Sequence, residues 1–305
     1  MSLIVTGSVG IDTVETPDGQ RAEKVLGGSS IYFAAGASFF TKVRLVAAVG
    51  DDFPDHFHEQ FKQFDVCTDG LEQREGSKTF RWHGRYHENM NDRDTLEVHL
   101  NVLGEALPPV PEHYRDSKYV FLANTHPAGQ LALLEQFPES KLVVADTMDL
   151  WIETERDLLM ELLGKIDGFV LNDSEAKMLT EENNVIRAAD KVLEMGPKFV
   201  VVKKGEHGAI LRHKDGTGVL PAYPADQVVD PTGAGDSFAS GMMGYLSSVD
   251  DVSIESIKRA MAYGTVVASY TIEKFSTQRL SEIDRSHIDA RLETFGSHLD
   301  IGAGI

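Results

Sequence analysis

Short apolar runs recur along the chain, and each stops at a polar or glycine-bearing cluster. Leu3 to Val9 precedes Gly10-Ile11-Asp12, and Val43 to Val49 ends at Gly50-Asp51-Asp52. Tyr119 to Ala123 ends at Asn124-Thr125, Leu142 to Ala145 at Asp146-Thr147, and Phe169-Val170-Leu171 at Asn172-Asp173. Runs of this length with little alternation read as strands buried on both faces, the habit of parallel sheets. Between them, apolar residues recur at three and four, which predicts helices over 29–40, 55–64, 150–163, 253–272 and 286–299. Strands alternating with helices predict one large α/β domain built on a mostly parallel sheet. The last residues, 301–305, are expected to fray.

Two stretches follow a different rhythm. Residues 12–26 alternate polar and apolar around Pro17-Asp18-Gly19, a hairpin signal. Residues 78–102 alternate through Phe80, Trp82, Gly84 and Tyr86 and again through Leu96, Val98 and Leu100, around a polar connection at 88–92. Alternation marks half-buried strands, so these stretches predict a small second sheet acting as a lid. Its exposed edges predict a homodimer formed through it. A further pair of strands, Phe199 to Val202 and Ala209 to Leu211, flanks Lys203-Lys204-Gly205-Glu206-His207-Gly208. Read plainly, this is a β-hairpin with a glycine turn.

The chain is organised around residues 228–246. Asp230 and Pro231 end an apolar, β-prone run, and Thr232-Gly233-Ala234-Gly235 forms a turn nearly free of side chains. From Asp236 the spacing of Phe238, Gly241, Met242 and Tyr245 is helical. Strand, glycine turn and helix together make an anion site, because first-turn amides lack intrahelical acceptors and lie at the positive end of the dipole. Asp236 beside such a site reads either as a cap or as a general base.

Asp-Pro-Thr-Gly-Ala-Gly-Asp-Ser-Phe, at 230–238, closely resembles the second signature of the PfkB-type carbohydrate kinases, the ribokinase-like superfamily. The resemblance spans nearly the full length and implies a three-layer α/β/α sandwich with a β lid, transferring the γ-phosphoryl group of ATP to an alcohol. It implies that Asp236 deprotonates the acceptor hydroxyl while Gly233, Ala234 and Gly235 form the anion hole. The Gly7-Ser8-Val9-Gly10-Ile11-Asp12 match implies that Asp12 grips substrate hydroxyls, and Gly27-Gly28 lets the substrate lie against backbone. Asn124 is a further substrate contact by its place past a strand end. Asn172-Asp173-Ser174-Glu175 matches the Asn-x-x-Glu motif, which implies phosphate contact by Asn172 and water-mediated Mg²⁺ positioning by Glu175. The Lys-x-Gly-x-x-Gly segment, with Lys203, Lys204, Gly205 and Gly208, implies the nucleotide site, together with Thr232. Asp230 is implied as a K⁺ contact. The chain departs from the family where an asparagine is usual: Tyr32 stands four residues after Gly28, and Gly10 replaces another. Both changes argue against ribose itself.

Composition narrows the partners. At 305 residues and 42% hydrophobic content the chain can bury a large core. A formal net charge of −19 repels nucleic acid and anionic membranes. One cysteine, Cys67, excludes an intrachain disulfide, and the spacing of His83, His87 and His99 does not suit zinc. No basic leader or apolar span stands out, so a cytoplasmic location is expected. The expected acceptor is a sugar or sugar-like polyol. The alternatives are a nucleoside stacked on Tyr32, Phe33, Trp82 or Tyr86, or a phosphorylated sugar held by Arg81 and Arg85. A non-catalytic sensor on the kinase fold is the rival of another class. A dinucleotide-dependent oxidoreductase is excluded, since Gly7-Ser8-Val9-Gly10 is not the required glycine pattern.

Overall fold

The computed structural model describes residues 2–300. In chain order the elements are β1 (Leu3–Thr6), β2 (Gly10–Glu15), β3 (Arg21–Gly27), α1 (Ser29–Ser38), β4 (Val43–Gly50), α2 (Asp55–Gln63), β5 (Cys67–Arg74), β6 (Phe80–Tyr86), β7 (Arg93–His99) and β8 (Tyr119–Leu122). There follow α3 (Pro127–Leu134), β9 (Leu142–Asp146), α4 (Asp149–Thr154), α5 (Arg156–Leu163), β10 (Gly168–Asn172), α6 (Asp173–Thr180), α7 (Val185–Glu194), β11 (Phe199–Lys203), β12 (Ala209–His213), β13 (Gly216–Leu220), α8 (Ala234–Val249), α9 (Ile254–Thr271) and α10 (Arg285–Leu299).

The apolar runs assemble into a nine-stranded sheet of order β13-β12-β11-β10-β9-β8-β1-β4-β5, parallel except at β12 and β13. Successive residues of each strand feed opposite faces, so the sheet has two cores. Leu3, Val5, Phe121 and Val201 pack with Phe33, Met242, Val267 and Phe295 from α1, α8, α9 and α10. Ile4, Val120, Leu122 and Val202 pack with Leu159, Leu162, Leu179 and Val192 from α5, α6 and α7. This double burial is why the strand runs lack alternation. The alternating stretches form a separate four-stranded sheet, β3-β2-β6-β7, antiparallel except between β2 and β6. No helix among the described residues is long and apolar enough to cross a membrane.

Four expectations need correction. The first strand stops at Thr6, and the chain then leaves the central sheet at Gly7 (φ +152°) and enters the second sheet at Gly10. Asp12 therefore lies inside the second sheet rather than just past a central strand. The helix expected over 150–163 breaks at Glu155 (φ −129°, ψ 33°) into α4 and α5. No glycine or proline lies at the break. The two halves meet different packing demands, Trp151 against Asn124 and Leu159 and Leu162 in the core. The run before the glycine turn is not a strand, because the amides of Val229 and Asp230 donate to the carbonyl of Ile272 at the end of α9 (2.8 and 3.3 Å). Finally, α8 begins at Ala234, capped by Gly233 in the left-handed region (φ 75°), so Asp236 is its third residue and not its cap. Residues 301–305 lie outside the described residues.

Candidate active site

The carboxyl ends of β9, β10 and β11 deliver Asp146, Asn172 and Lys203 to one crevice, opposite the first turn of α8. Lys203 Nζ lies so close to Gly235 that a Cβ there would sit 2.7 Å from it. Gly233 lies directly on the ring of Tyr32, where a Cβ would come within 2.2 Å of the ring carbons. Only glycine satisfies both that contact and the left-handed φ. Asp236 sits in the recess between these groups. Burial pushes its carboxyl up to about 6; Glu175 adds to the rise, and Lys203 and Arg93 oppose it. Asp146, buried with one oxygen lacking any partner among the described residues, is held well above the usual carboxylate range by burial and by Asp236.

The second sheet supplies the opposite wall. Gly27 passes beneath Asp12, and a Cβ at Gly27 would fall 1.9 Å from its Oδ2. Asp12 is buried, and its Oδ1 has no partner among the described residues. Burial, followed by Asp230, pushes its carboxyl up to about 7; the Gly28 amide works against this. Asp12 pairs with Trp82 across β2 and β6, so the two share a face. Phe80, Gly84 and Tyr86 follow Trp82 at period two on that face. The Tyr86 hydroxyl meets Thr232 Oγ1 at 3.0 Å, which shows that this face looks toward the glycine turn. Tyr32 is buried with its hydroxyl unpartnered among the described residues, and the charges acting on it are those of Asp230, Asp12 and Asp236.

The structure sorts the other candidates. Asn172 and Glu175 form a capping box at the start of α6: Glu175 N donates to Asn172 Oδ1 (2.8 Å), and Asn172 N donates to Glu175 Oε2 (2.7 Å). Glu175 is raised chiefly by burial, opposed by Lys203. Both residues thus cap the helix and face the crevice. Ala234 is not free to hold an anion, because its amide donates to the Pro231 carbonyl (3.1 Å). The amides of Gly233, Gly235 and Asp236 remain. The charge of Lys203 acts on Asp146, Glu175 and Asp236. The Lys204 amide donates to the Gly208 carbonyl (2.7 Å). Gly205 and Gly208 both have positive φ, and a Cβ at Gly208 would strike the Leu220 carbonyl. Asn124 is engaged elsewhere: its Oδ1 accepts from Trp151 Nε1 (3.0 Å), and its Nδ2 donates to Met148 Sδ (3.2 Å). Asp230 accepts amides from Thr232 (2.9 Å) and Ser276 (3.3 Å), bracing the turn against the loop after α9.

Three of the expected acceptor contacts fail on geometry. Phe33 is fully buried and stacks on Phe121 with centroids 4.2 Å apart, so it belongs to the core. Arg81 and Arg85 lie on the far face of the second sheet, paired with Asp52 (2.6 Å) and Glu15 (2.7 Å). The cation on the near face is Arg93, opposite Tyr86 in register. Its guanidinium lies 6.0 Å from the Trp82 ring, and its charge acts on Asp236 and Glu175. Arg93 and Asp146 were not among the candidates offered by the sequence. Only Asp146 carried a signal there, its place just past a buried strand.

A parallel α/β sheet with ligand groups at its strand ends, a glycine turn opening a helix and a covering β-sheet define a small-molecule kinase of the ribokinase fold. The sequence profile described as pfkB family carbohydrate kinase matches residues 111–284. A cytidine kinase of Thermococcus kodakarensis is 33% identical over 249 residues, covering 80% of this chain and 87% of that protein. Ribokinase from Giardia lamblia superposes with a TM-score of 0.82 at 17% identity, covering 96% of this chain and 99% of the other. The nucleoside kinase of Burkholderia thailandensis, in complex with inosine, superposes with a TM-score of 0.79 at 18% identity, covering 97% and 99%. The chain belongs to the pfkB carbohydrate kinase family. Membership implies ATP-dependent phosphoryl transfer assisted by a divalent metal.

Proposed function

We propose that this protein phosphorylates a hydroxyl of a nucleoside with ATP, with Asp236 as general base. The observation that carries the reading is Asp236 itself, set in the first turn of α8 behind a left-handed glycine and raised to about 6. A base works best with a pKa near the working pH, ionised yet able to take a proton. The acceptor hydroxyl lies between Asp12 and Asp236. Asp236 receives its proton as the hydroxyl oxygen bonds to the γ-phosphorus and the bond to the ADP oxygen breaks. Amides of Gly235 and Asp236, with Lys203, stabilise the charge on the transferring group. Asn172, Gly205 and Gly208 contact the nucleotide.

Unpartnered buried oxygen at Asp146, close in charge to Glu175 and Asp236, suits a hard cation that keeps much of its water. Glu175, through water, and Asp146 would hold Mg²⁺, which neutralises phosphate charge when bound. Both oxygens of Asp230 accept an amide, so we assign it a bracing role, which still leaves a lone pair on each oxygen for K⁺.

A nucleoside is favoured over a plain sugar by the aromatic face of β6. Trp82 shares a face with Asp12, where a base attached to a gripped ribose would stack. The similarity to the cytidine kinase of Thermococcus kodakarensis supports this reading. The second sheet is assigned the lid role, which excludes water from the transferring phosphoryl.

The test is ADP release with Mg-ATP against cytidine, inosine, adenosine, ribose, fructose and inositol. Turnover on a nucleoside, lowered about 10²-fold or more in Asp236→Asn with nucleotide binding retained, is expected. Turnover on sugars alone would sink the nucleoside assignment, and an active Asp236→Asn would sink the base.

A further inference from the structure

One hairpin touches both halves of the site. The tip joining β6 to β7 is fixed by its own hydrogen bonds. Asn89 Oδ1 accepts the amides of Asn91 (3.1 Å) and Asp92 (3.0 Å), Asn89 Nδ2 donates to Asp92 Oδ2 (2.7 Å), and the His87 amide donates to the Asp92 carbonyl (2.9 Å). Just below, His87 faces Asp94 at 3.1 Å. From this preformed turn the Asn91 side chain reaches across to the 205–208 loop. Its Nδ2 donates to Glu206 Oε1 (3.2 Å), and its Oδ1 lies so close to Gly205 that a Cβ there would be 2.8 Å away. At the other end of the hairpin, Tyr86 is buried and bonded to Thr232 on the glycine turn. Arg93, across the ladder from Tyr86, forms no ion pair among the described residues and directs its charge at Asp236 and Glu175.

β7 is exposed along its whole length. The tip's hold on the rest of the molecule thus runs through a few side-chain bonds, each worth little net in water. Such a segment opens easily, and a ligand that fixes one of its anchor points shifts it toward the closed form.

We propose that Asn91 is a positioning residue through which nucleotide bound at the 205–208 loop closes the β6–β7 hairpin over the acceptor. This rests on reading that loop as part of the nucleotide site. Nucleotide that holds Gly205 and Glu206 still also holds the partner of Asn91. The hairpin then seats Tyr86 on Thr232, brings Trp82 over the acceptor space and presents Arg93 to the phosphates. By reciprocity, closing the hairpin favours nucleotide.

Hydrogen exchange of amides 86–93, with and without a non-hydrolysable ATP analogue plus Mg²⁺, tests this, with nucleotide binding followed by calorimetry on the same samples. In the wild type the analogue alone should slow hairpin exchange by about 5-fold or more. Asn91→Ala should bind the analogue yet show little slowing. Asn91→Asp, which sets a carboxylate against Glu206, should show none. Analogue binding with unchanged hairpin exchange in the wild type would overturn the proposal, as would equal protection in Asn91→Ala. No analogue binding at all would instead fault the ATP reading, and the clasp with it.

Discussion

At the scale of single residues, the site is a set of carboxyl groups held away from their ordinary ionisation. Asp12 and Asp236 rise to about 7 and about 6, each chiefly through burial. With Asp236 as the proposed base and Asp12 as the proposed hydroxyl grip, both must lose protons for turnover, so kcat/KM for the acceptor should climb with pH through roughly 6 to 7. Because the two groups feel each other, the ascending limb belongs to the pair. A pH–rate profile already flat from pH 5 upward would refute this. The same shift has a stability sign. A carboxyl raised in the folded state binds more protons there than in the unfolded chain, so its contribution falls as pH rises from about 4 to about 7. Asp12→Asn removes that loss. Its melting temperature in metal-free buffer should exceed the wild type at pH 8, with the gain vanishing near pH 4, while acceptor turnover collapses. Differential scanning calorimetry at the two pH values checks it. Stability given up at a working site is a common exchange.

At the scale of elements, packing overrides local preference in two places. The break at Glu155 lets α4 turn Trp151 toward the end of β8, where its indole N–H holds Asn124 and its ring lies 5.0 Å from that of His126. Asn124 is thereby part of a structural cluster. Trp151→Phe deletes the hydrogen bond and keeps the ring, so a stability loss of about 1 kcal/mol is expected with acceptor turnover intact. Chemical denaturation alongside the turnover assay measures both. A large rise in acceptor KM would return Asn124 to the binding site. The amides of Val229 and Asp230 make the second case, satisfied by a helix-end carbonyl in place of a strand partner. Through them the glycine turn is fastened to α9, and through Asp230 and Ser276 to the loop beyond it.

At the scale of the whole molecule, two sheets divide the work. The nine-stranded sheet delivers Asp146, Asn172 and Lys203 from adjacent strand ends, and the four-stranded sheet covers them with Asp12, Trp82 and Tyr86. The outer strand of the smaller sheet is open, and Leu96 and Val98 on β7 are exposed at 42% and 51%. An open edge carrying exposed Leu96 and Val98 favours pairing with a second copy. Light scattering should therefore find a dimer, and Leu96→Asp should shift it toward monomer. A wild-type monomer at tens of micromolar would dismiss the lid-mediated dimer.

Much of this was legible in the chain. Unbroken apolar runs specify strands buried on both faces, alternating runs specify a second sheet, and a turn with almost no side chains before a helix specifies exposed first-turn amides. The turn-and-helix setting of Asp236 and the close spacing of Asn172 and Glu175 were readable because both are local in sequence. Only the tertiary structure decided the rest. Arg93 joins the site, and Arg81 and Arg85 leave it, through strand alternation and ladder register, which depend on distant partners. Phe33 was withdrawn into the core and Asn124 was claimed by Trp151, 27 positions away. Ala234 lost its amide to a local turn. The raised pKa values of the buried carboxyls likewise arise from burial, with smaller contributions from charges on separate elements. Sequence determines which chemical groups exist and their local geometry; the meeting of groups far apart along the chain is set by packing, because burial and charge act through space.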